Sequence, residues 1–395
     1  MMLLIAISCI LLVSFLMKRR IKDLRSLAIT NKDGSKTLSS LPIHYCYCFS
    51  IWSVALMLLI LNLTIPMIFK GMLFLGVLIA TFLLVDYFFK RGFDAKAHLE
   101  NSLRRVMMVA ALFGVLITVA IMASIMFESI RFFKMINFFD FIFGLKWNPQ
   151  TAMRSDQAVS NSSFGVVPVL LGTLLITIVA MAVAIPLGIM SAIYLYFYSS
   201  RRVRDFLKPV LEVLAGIPTV VYGYFAITAV APFFKGFFGF LGVNISSESA
   251  LGAGFVMGIM IIPFISSLVD DAINSVPGTL KDSSLALGST KSEMIKNVVL
   301  PHAMPSIIGA VILAFSRAIG ETMIVTMAAG LVAKLTFNPL DSVTTATAQI
   351  VTLLIGDQEF DSPKTLAAFA IALVLFVVTF IFNAVALRII KKYKR

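Results

Sequence analysis

The sequence predicts an all-α integral membrane protein, and three observations carry that prediction. The 395 residues are 59% hydrophobic and only 13% charged, more apolar than one soluble core requires. Apolar runs of about twenty residues recur along the chain, each long enough to cross about 30 Å of hydrocarbon as a helix. Lys and Arg sit between those runs, where the positive bias of cytoplasmic loops accounts for a net charge of +13 without a nucleic-acid partner.

Met1 to Met17 is apolar but short and lacks a preceding positive residue, so it reads as a marginal span or an interfacial helix rather than a cleaved signal. Residues 18–50 are basic and turn-rich, an exposed loop. Ile51 to Phe69 and Met72 to Phe89 form a predicted hairpin about Lys70 and Gly71, and residues 90–105 are again basic. Six further spans follow: Val106–Phe127, Val166–Tyr196 interrupted at Pro186, Glu212–Phe234 with a kink at Gly216, Ile217 and Pro218, Ala250–Val269, Ser306–Leu331 and Leu366–Leu387. The count is nine, or eight if the first run does not cross. Residues 1–100 form an amino-terminal module of two or three helices, and residues 101–395 a second domain with a connecting loop at 270–305. Cys9, Cys46 and Cys48 cannot build a disulfide framework or a zinc site, and His44, His98 and His302 are dispersed, so no metal or cofactor is expected.

Charge tests the topology. With successive loops placed on opposite sides, one side receives 24 Lys and Arg and the other 8, Arg317 lying within a span. The rich side is cytoplasmic by the positive-inside rule, which places the C-terminus and the 270–305 loop inside, and the N-terminus outside if the first run spans.

That loop reads as two short helices. Thr279 with Asp282, and Thr290 with Glu293, have capping-box spacing, in which a hydroxyl meets a free backbone N–H and the acid reaches back. Gly288 between them permits a sharp corner, and Leu300 and Pro301 stop the second helix. Leu287, Met294, Ile295 and Val298 line one apolar side, a surface for a partner or for the membrane. Arg317 follows, about eleven residues into its span and so about 17 Å deep at about 1.5 Å per residue. A charge at that depth costs about 3 kcal/mol on insertion scales, which marks Arg317 for a role. Glu321, four residues on and on the same helix face, is the expected partner. Together they form a structural ion pair or a site where the arginine fork meets an oxyanion. Thr322 and Thr326 could add hydroxyls, although such hydroxyls mostly bond their own backbone. Gly216, Pro218 and Tyr222 allow a broken helix beside the same pathway, with a plain kink the simpler reading.

The spacing of Asp282-Ser-Ser, Gly288 and Leu300-Pro301 resembles the EAA loop of ABC importer permeases, with Asp-Ser-Ser in place of Glu-Ala-Ala and Val298 in the Ile position. The segments FIFGLKWNPQ, PLGIMSAIYL, LEVLAGIPTVVYGYFAI, MIIPFISSLVDDAINSVP and ALGSTKSEMIKNVVLPHAMPSIIGAVILAFSRAIGETMIVTMAAG are similar, in that order, to the PstC family of phosphate importer permeases. The resemblance covers most of residues 138–390. It implies a type I, MetI-like core of six helices, with residues 1–100 as an addition, in a bacterial inner membrane. It also implies that Asp282, Gly288, Thr290, Glu293, Leu300 and Pro301 couple to an ATPase, and that Arg317, Glu321 and Thr322 line the phosphate pathway. The implied partners are a PstA-like permease forming a heterodimer, a PstB-like ATPase dimer, a PstS-like phosphate-binding protein outside the membrane, phosphate itself and the surrounding lipid. The segments Glu128–Phe164 and Thr336–Pro363 would meet the binding protein.

No G-x-x-x-x-G-K-[ST] motif occurs, so ATP-driven transport would need a separate hydrolysing subunit and the chain is not itself an enzyme. An arginine does not name its anion, so a sulfate or molybdate permease is an alternative. A stand-alone secondary transporter or channel would also carry intramembrane charge. A third alternative is a membrane sensor contacting a kinase through residues 1–100.

Overall fold

The computed structural model describes residues 95–149, 164–355 and 361–393, with a few isolated positions between 19 and 83. The chain divides into two units, Met1–Ala120 and Ile121–Arg395. The expected spans at 1–17, 51–69 and most of 72–89 lie outside the described residues, as do the three cysteines. In the first unit the described run is the start of helix α1 (Ala95–Met135), whose most apolar stretch is uncovered. α1 extends a turn or more beyond each end of the predicted Val106–Phe127. Glu128 therefore sits in the helix rather than opening a loop, where it bonds Arg131 one turn later at 3.0 Å.

Among the described residues, six helical stretches are long and apolar enough to cross a membrane: Leu99–Met135, Val167–Tyr198, Thr219–Phe240, Ala250–Asn274, Lys291–Ile319 and Pro363–Arg388. Each overlaps one of the six predicted core spans, the fifth starting fifteen residues before and ending twelve before the predicted Ser306–Leu331. The second unit is built on α3 (Val167–Ile193) and α7 (Ala250–Asn274), which pack along most of their length. Lipid tails are as apolar as leucine, so helices in a membrane gain mainly from close approach, and small residues allow it. A Cβ on Gly254 would come within 2.7 Å of Val179, one on Gly258 within 2.8 Å of the Ala180 carbonyl, and one on Gly188 within 2.8 Å of Ile265. α3 runs unbroken through Pro186.

At the α3 N-terminal end the core is aromatic. Phe132, Phe141, Phe164 and Trp147 pack edge to face around α2 (Phe138–Phe143), which Asn137 caps. The Trp147 indole donates to Gln349 Oε1 of α12 (Ala346–Leu354) at 2.9 Å, satisfying the one polar atom it buries. In the segment leading to α12, Lys334 and then Thr336 donate to Asp341 and hold its carboxyl below the usual carboxylate range.

At the opposite end α3 unwinds into a π-helical turn, Tyr194–Tyr198, followed by amphipathic α4 (Arg201–Ala215). The expected kink is a full stop. α4 ends at Ala215, and α5 (Thr219–Phe225) starts after Pro218, which cannot donate the N–H a continuous helix needs. α5 passes through a π-helical turn at Ala226–Val230 into α6 (Ala231–Phe240).

Candidate functional site

The connection from α7 to α10 (Leu300–Ile319) contains α8 (Gly278–Ala286), a turn at Gly288 and α9 (Lys291–Met294). Thr290 and Glu293 form the complete capping box: Glu293 N–H donates to the Thr290 hydroxyl, and Thr290 N–H to the Glu293 carboxylate at 2.8 Å. The box expected at Thr279 and Asp282 does not form, because α8 begins at Gly278 behind Pro277 and Thr279 is already helical. Asp282 is exposed and has no protein partner among the described residues. Gly288 adopts φ +87°, a conformation other residues reach only under strain, so the corner is glycine-specific.

The predicted apolar side divides. Met294 and Ile295 are buried in the protein's own core, whereas Leu287 is 90% exposed at the corner. Leu300 and Pro301 do not stop the second helix as expected. A π-helical turn at Ile295–Val299 widens the backbone just ahead of Pro301, which sits in the first turn of α10 (Leu300–Ile319) where its missing N–H costs little. The helix is therefore continuous from Lys291 to Ile319. Arg317 lies about 25 Å along it from Leu300 at about 1.5 Å per residue, further toward the α12 end than a start at Ser306 implied.

The expected Arg317–Glu321 ion pair does not form, because the helix breaks between them. α10 ends at Ile319 with Gly320 as its cap, and α11 (Met323–Ala328) starts three residues later, which turns Glu321 away from the arginine's face. Glu321 is buried and works as a side-chain cap: its Oε1 accepts the N–H of Met323 at 3.1 Å and of Ile324 at 3.4 Å. Its carbonyl accepts from the Thr347 hydroxyl of α12 at 2.7 Å. Thr322 donates to Gly320 O and Thr326 to Thr322 O, so these hydroxyls are committed to backbone. Arg317 has no salt bridge among the described residues; it is exposed, with its guanidinium 5.3 Å from the centre of the Phe264 ring on α7. The site is thus a broken membrane helix with a free cationic fork before the break and, at it, a carboxylate that caps α11 through one oxygen.

A second ionic constellation was not foreseen from the sequence. Asp270 is buried on α7, the residue immediately after the predicted end of its span at Val269, and accepts from Arg204 Nη2 at 3.0 and 3.2 Å and from Lys208 Nζ at 2.7 Å. The available signal was the i, i+4 spacing of Arg204 and Lys208 on one helix face. Their carboxylate lies more than sixty positions away, beyond what a local pattern reaches.

Residues 184–395 match the family described as binding-protein-dependent transport system inner membrane component. The chain belongs to that family. The match spans the last third of α3 through to the end of the chain, and so includes the α7–α10 connection, Asp270 and the broken helix. The chain is a multi-pass membrane subunit of a transport system, with an almost entirely helical core of the MetI-like permease type. Among relatives, a probable ABC transporter permease protein, YqgH of Bacillus subtilis, is 35% identical over 243 residues, 62% of this chain and 74% of that one. The phosphate transport system permease protein PstC of Mesorhizobium japonicum is 32% identical over 63% of this chain and 77% of that protein, and PstC of Xylella fastidiosa strain 9a5c is 31% identical over 78% and 92%. A solved bacterial alginate ABC transporter, bound to its alginate-loaded periplasmic protein, has one chain that shares the fold, with a TM-score of 0.50 at 17% identity over 74% of this chain and 98% of that one.

Proposed function

We propose that the chain is one half of the membrane pathway of an ATP-driven phosphate importer. The observation that carries this reading is Arg317, a guanidinium held on an aromatic ring at a helix break without a carboxylate partner among the described residues. A planar fork with unused donors suits a tetrahedral oxyanion, and the absence of an internal counter-charge leaves the anion itself to supply it. The names of the PstC relatives support phosphate as that anion. Glu321 and Thr322 contribute by fixing the break that presents the arginine, Glu321 through the cap on α11 and Thr322 through its bond to Gly320 O.

On this reading residues 101–395 are the permease domain and residues 1–100 an added module. The partners are a PstA-like permease, a PstB-like ATPase dimer and a PstS-like phosphate-binding protein. The connection 270–305 faces the cytoplasm, where Asp282, Gly288, Thr290, Glu293, Leu300 and Pro301 form or brace the element that meets the ATPase. The exposed Asp282 on α8 and the exposed Leu287 just before the glycine corner support this assignment. The N-terminus is outside if residues 1–17 span.

The test is reconstitution of the chain with these partners in proteoliposomes. Arg317→Ala is expected to abolish phosphate uptake while leaving assembly and resting ATPase intact. Unimpaired uptake by that variant would remove the role of Arg317, and sulfate or molybdate competing as well as phosphate would overturn the choice of anion.

A further inference from the structure

The connection that moves with an ATPase must also be attached to the helices that open the pathway, and side chains outside the EAA-like residues make that attachment. Tyr196, in the π-helical turn that ends α3, lies where three elements meet. Its hydroxyl accepts from Lys281 Nζ of α8 at 2.9 Å and donates to Asn274 Oδ1 at the end of α7 at 3.4 Å. The two cations flank its ring, Lys281 Nζ at 4.6 Å from the centroid and Arg204 of α4 at 5.0 Å. Lys281 donates a second bond to the Ile273 carbonyl at 3.0 Å, and Arg204 reaches the buried Asp270 one turn back along α7. Two cations on one ring would repel each other, and Asp270 offsets that repulsion by holding Arg204 and Lys208.

We propose that Tyr196, with Lys281, Arg204 and Asp270, is a positioning clasp that carries displacement of α8 into α7, the helix whose Phe264 underlies Arg317. The proposal rests on the reading of the α7–α10 connection as the ATPase-facing element. α8 otherwise buries no residue of its own, so these polar contacts are what hold it to α7. The π-helical turn serves the same end: the extra residue in that turn changes the register of the side chains at the end of α3, where Tyr196 sits.

The test has two arms. In the reconstituted complex, Tyr196→Phe removes the hydroxyl but keeps the ring, so assembly and resting ATPase stay at wild-type levels. The loss of two hydrogen bonds, one charge-assisted, lowers phosphate imported per ATP by about three- to tenfold. Lys281→Met lowers it likewise, and Lys281→Arg, which can still donate to the hydroxyl, restores it. An unchanged ratio in Tyr196→Phe and Lys281→Met overturns the clasp. The second arm needs neither phosphate nor ATP: spin labels at the exposed Leu287 and Asp271 report a narrow distance distribution in the purified chain, which broadens in Tyr196→Phe and Asp270→Asn. A distribution that stays narrow in both variants also overturns the proposal. Broadening in these variants, in a complex that never imports phosphate, supports the clasp and refutes the phosphate reading instead.

Discussion

Glu321 separates two accounts of the broken helix, because an ion-pair partner and a helix cap respond differently to loss of charge. Its Oε1 accepts two backbone N–H groups, from Met323 at 3.1 Å and Ile324 at 3.4 Å, and the side chain is buried. Glu321→Ala leaves both donors unsatisfied where water is scarce. An unsatisfied buried group costs about 1–3 kcal/mol, and the second bond is long, so about 2–3 kcal/mol is expected in total. Glu321→Gln keeps a carbonyl oxygen in the same place and loses only charge assistance, so it costs about 1 kcal/mol or less. Thermal unfolding of the purified chain in detergent reads the difference. At about 2–4 °C per kcal/mol, Glu321→Ala lowers the midpoint by about 4–12 °C and Glu321→Gln by at most about 4 °C. Equal losses in the two variants would show that the charge rather than the oxygen matters and would refute the cap.

Three further outcomes follow from the packing and the loops. Gly258→Val drives a Cβ to 2.8 Å from the Ala180 carbonyl and 2.9 Å from Val183 Cβ. Because the first contact is backbone, α3 and α7 must separate, at a cost of about 1–3 kcal/mol, which the same melting assay detects; Gly239→Val, where a Cβ meets nothing within 4 Å, is the control. Thr290→Ala removes a cap worth about 0.5–2 kcal/mol and speeds amide exchange in the first turn of α9 without changing exchange in α7. The Asp341 carboxyl sits below its ordinary range because Lys334 and Thr336 donate to it. Its contribution is therefore complete above the ordinary pKa of 3.8 and is lost as pH falls through the lower folded value, so exchange in residues 334–343 accelerates on that acid limb. Asp341→Asn abolishes this dependence.

The six core spans were legible because length and hydropathy act locally and the hydrocarbon fixes both. The capping box at Thr290 and Glu293 was legible for the same reason: all its atoms lie within four residues. The Arg317–Glu321 pair failed because helical spacing was extended through Gly320. The counter-signal was in the sequence, since a glycine followed at once by an acid is how one helix ends and another is capped. Pro301 misled in the opposite direction. Proline stops a helix from inside but is tolerated in a first turn, and the π-helical turn that creates that first turn leaves no mark in residue type. Asp270 lay beyond local reasoning because its cations arrive from α4.

The treatment of charge across the second unit bears on what Arg317 is for. Asp270 is met by two cations, Asp341 by Lys334, and Arg131 by Glu128 and Asp361, so each of these charges has an opposite charge within the chain. Arg317 is not among them. A cation within a membrane span costs up to about 3 kcal/mol on insertion scales, and a ring beneath it returns at most about 2 kcal/mol. Where the full cost applies, the Phe264 contact therefore leaves a deficit of about 1 kcal/mol. A carboxylate at position 321 could have removed the deficit had α10 continued one more turn, yet the chain spends that carboxylate on capping α11. An arginine kept short of its counter-charge, beside a break that prevents the nearest acid from supplying it, fits a site that an anion completes only when it arrives, and whose affinity falls once the break or the ring moves.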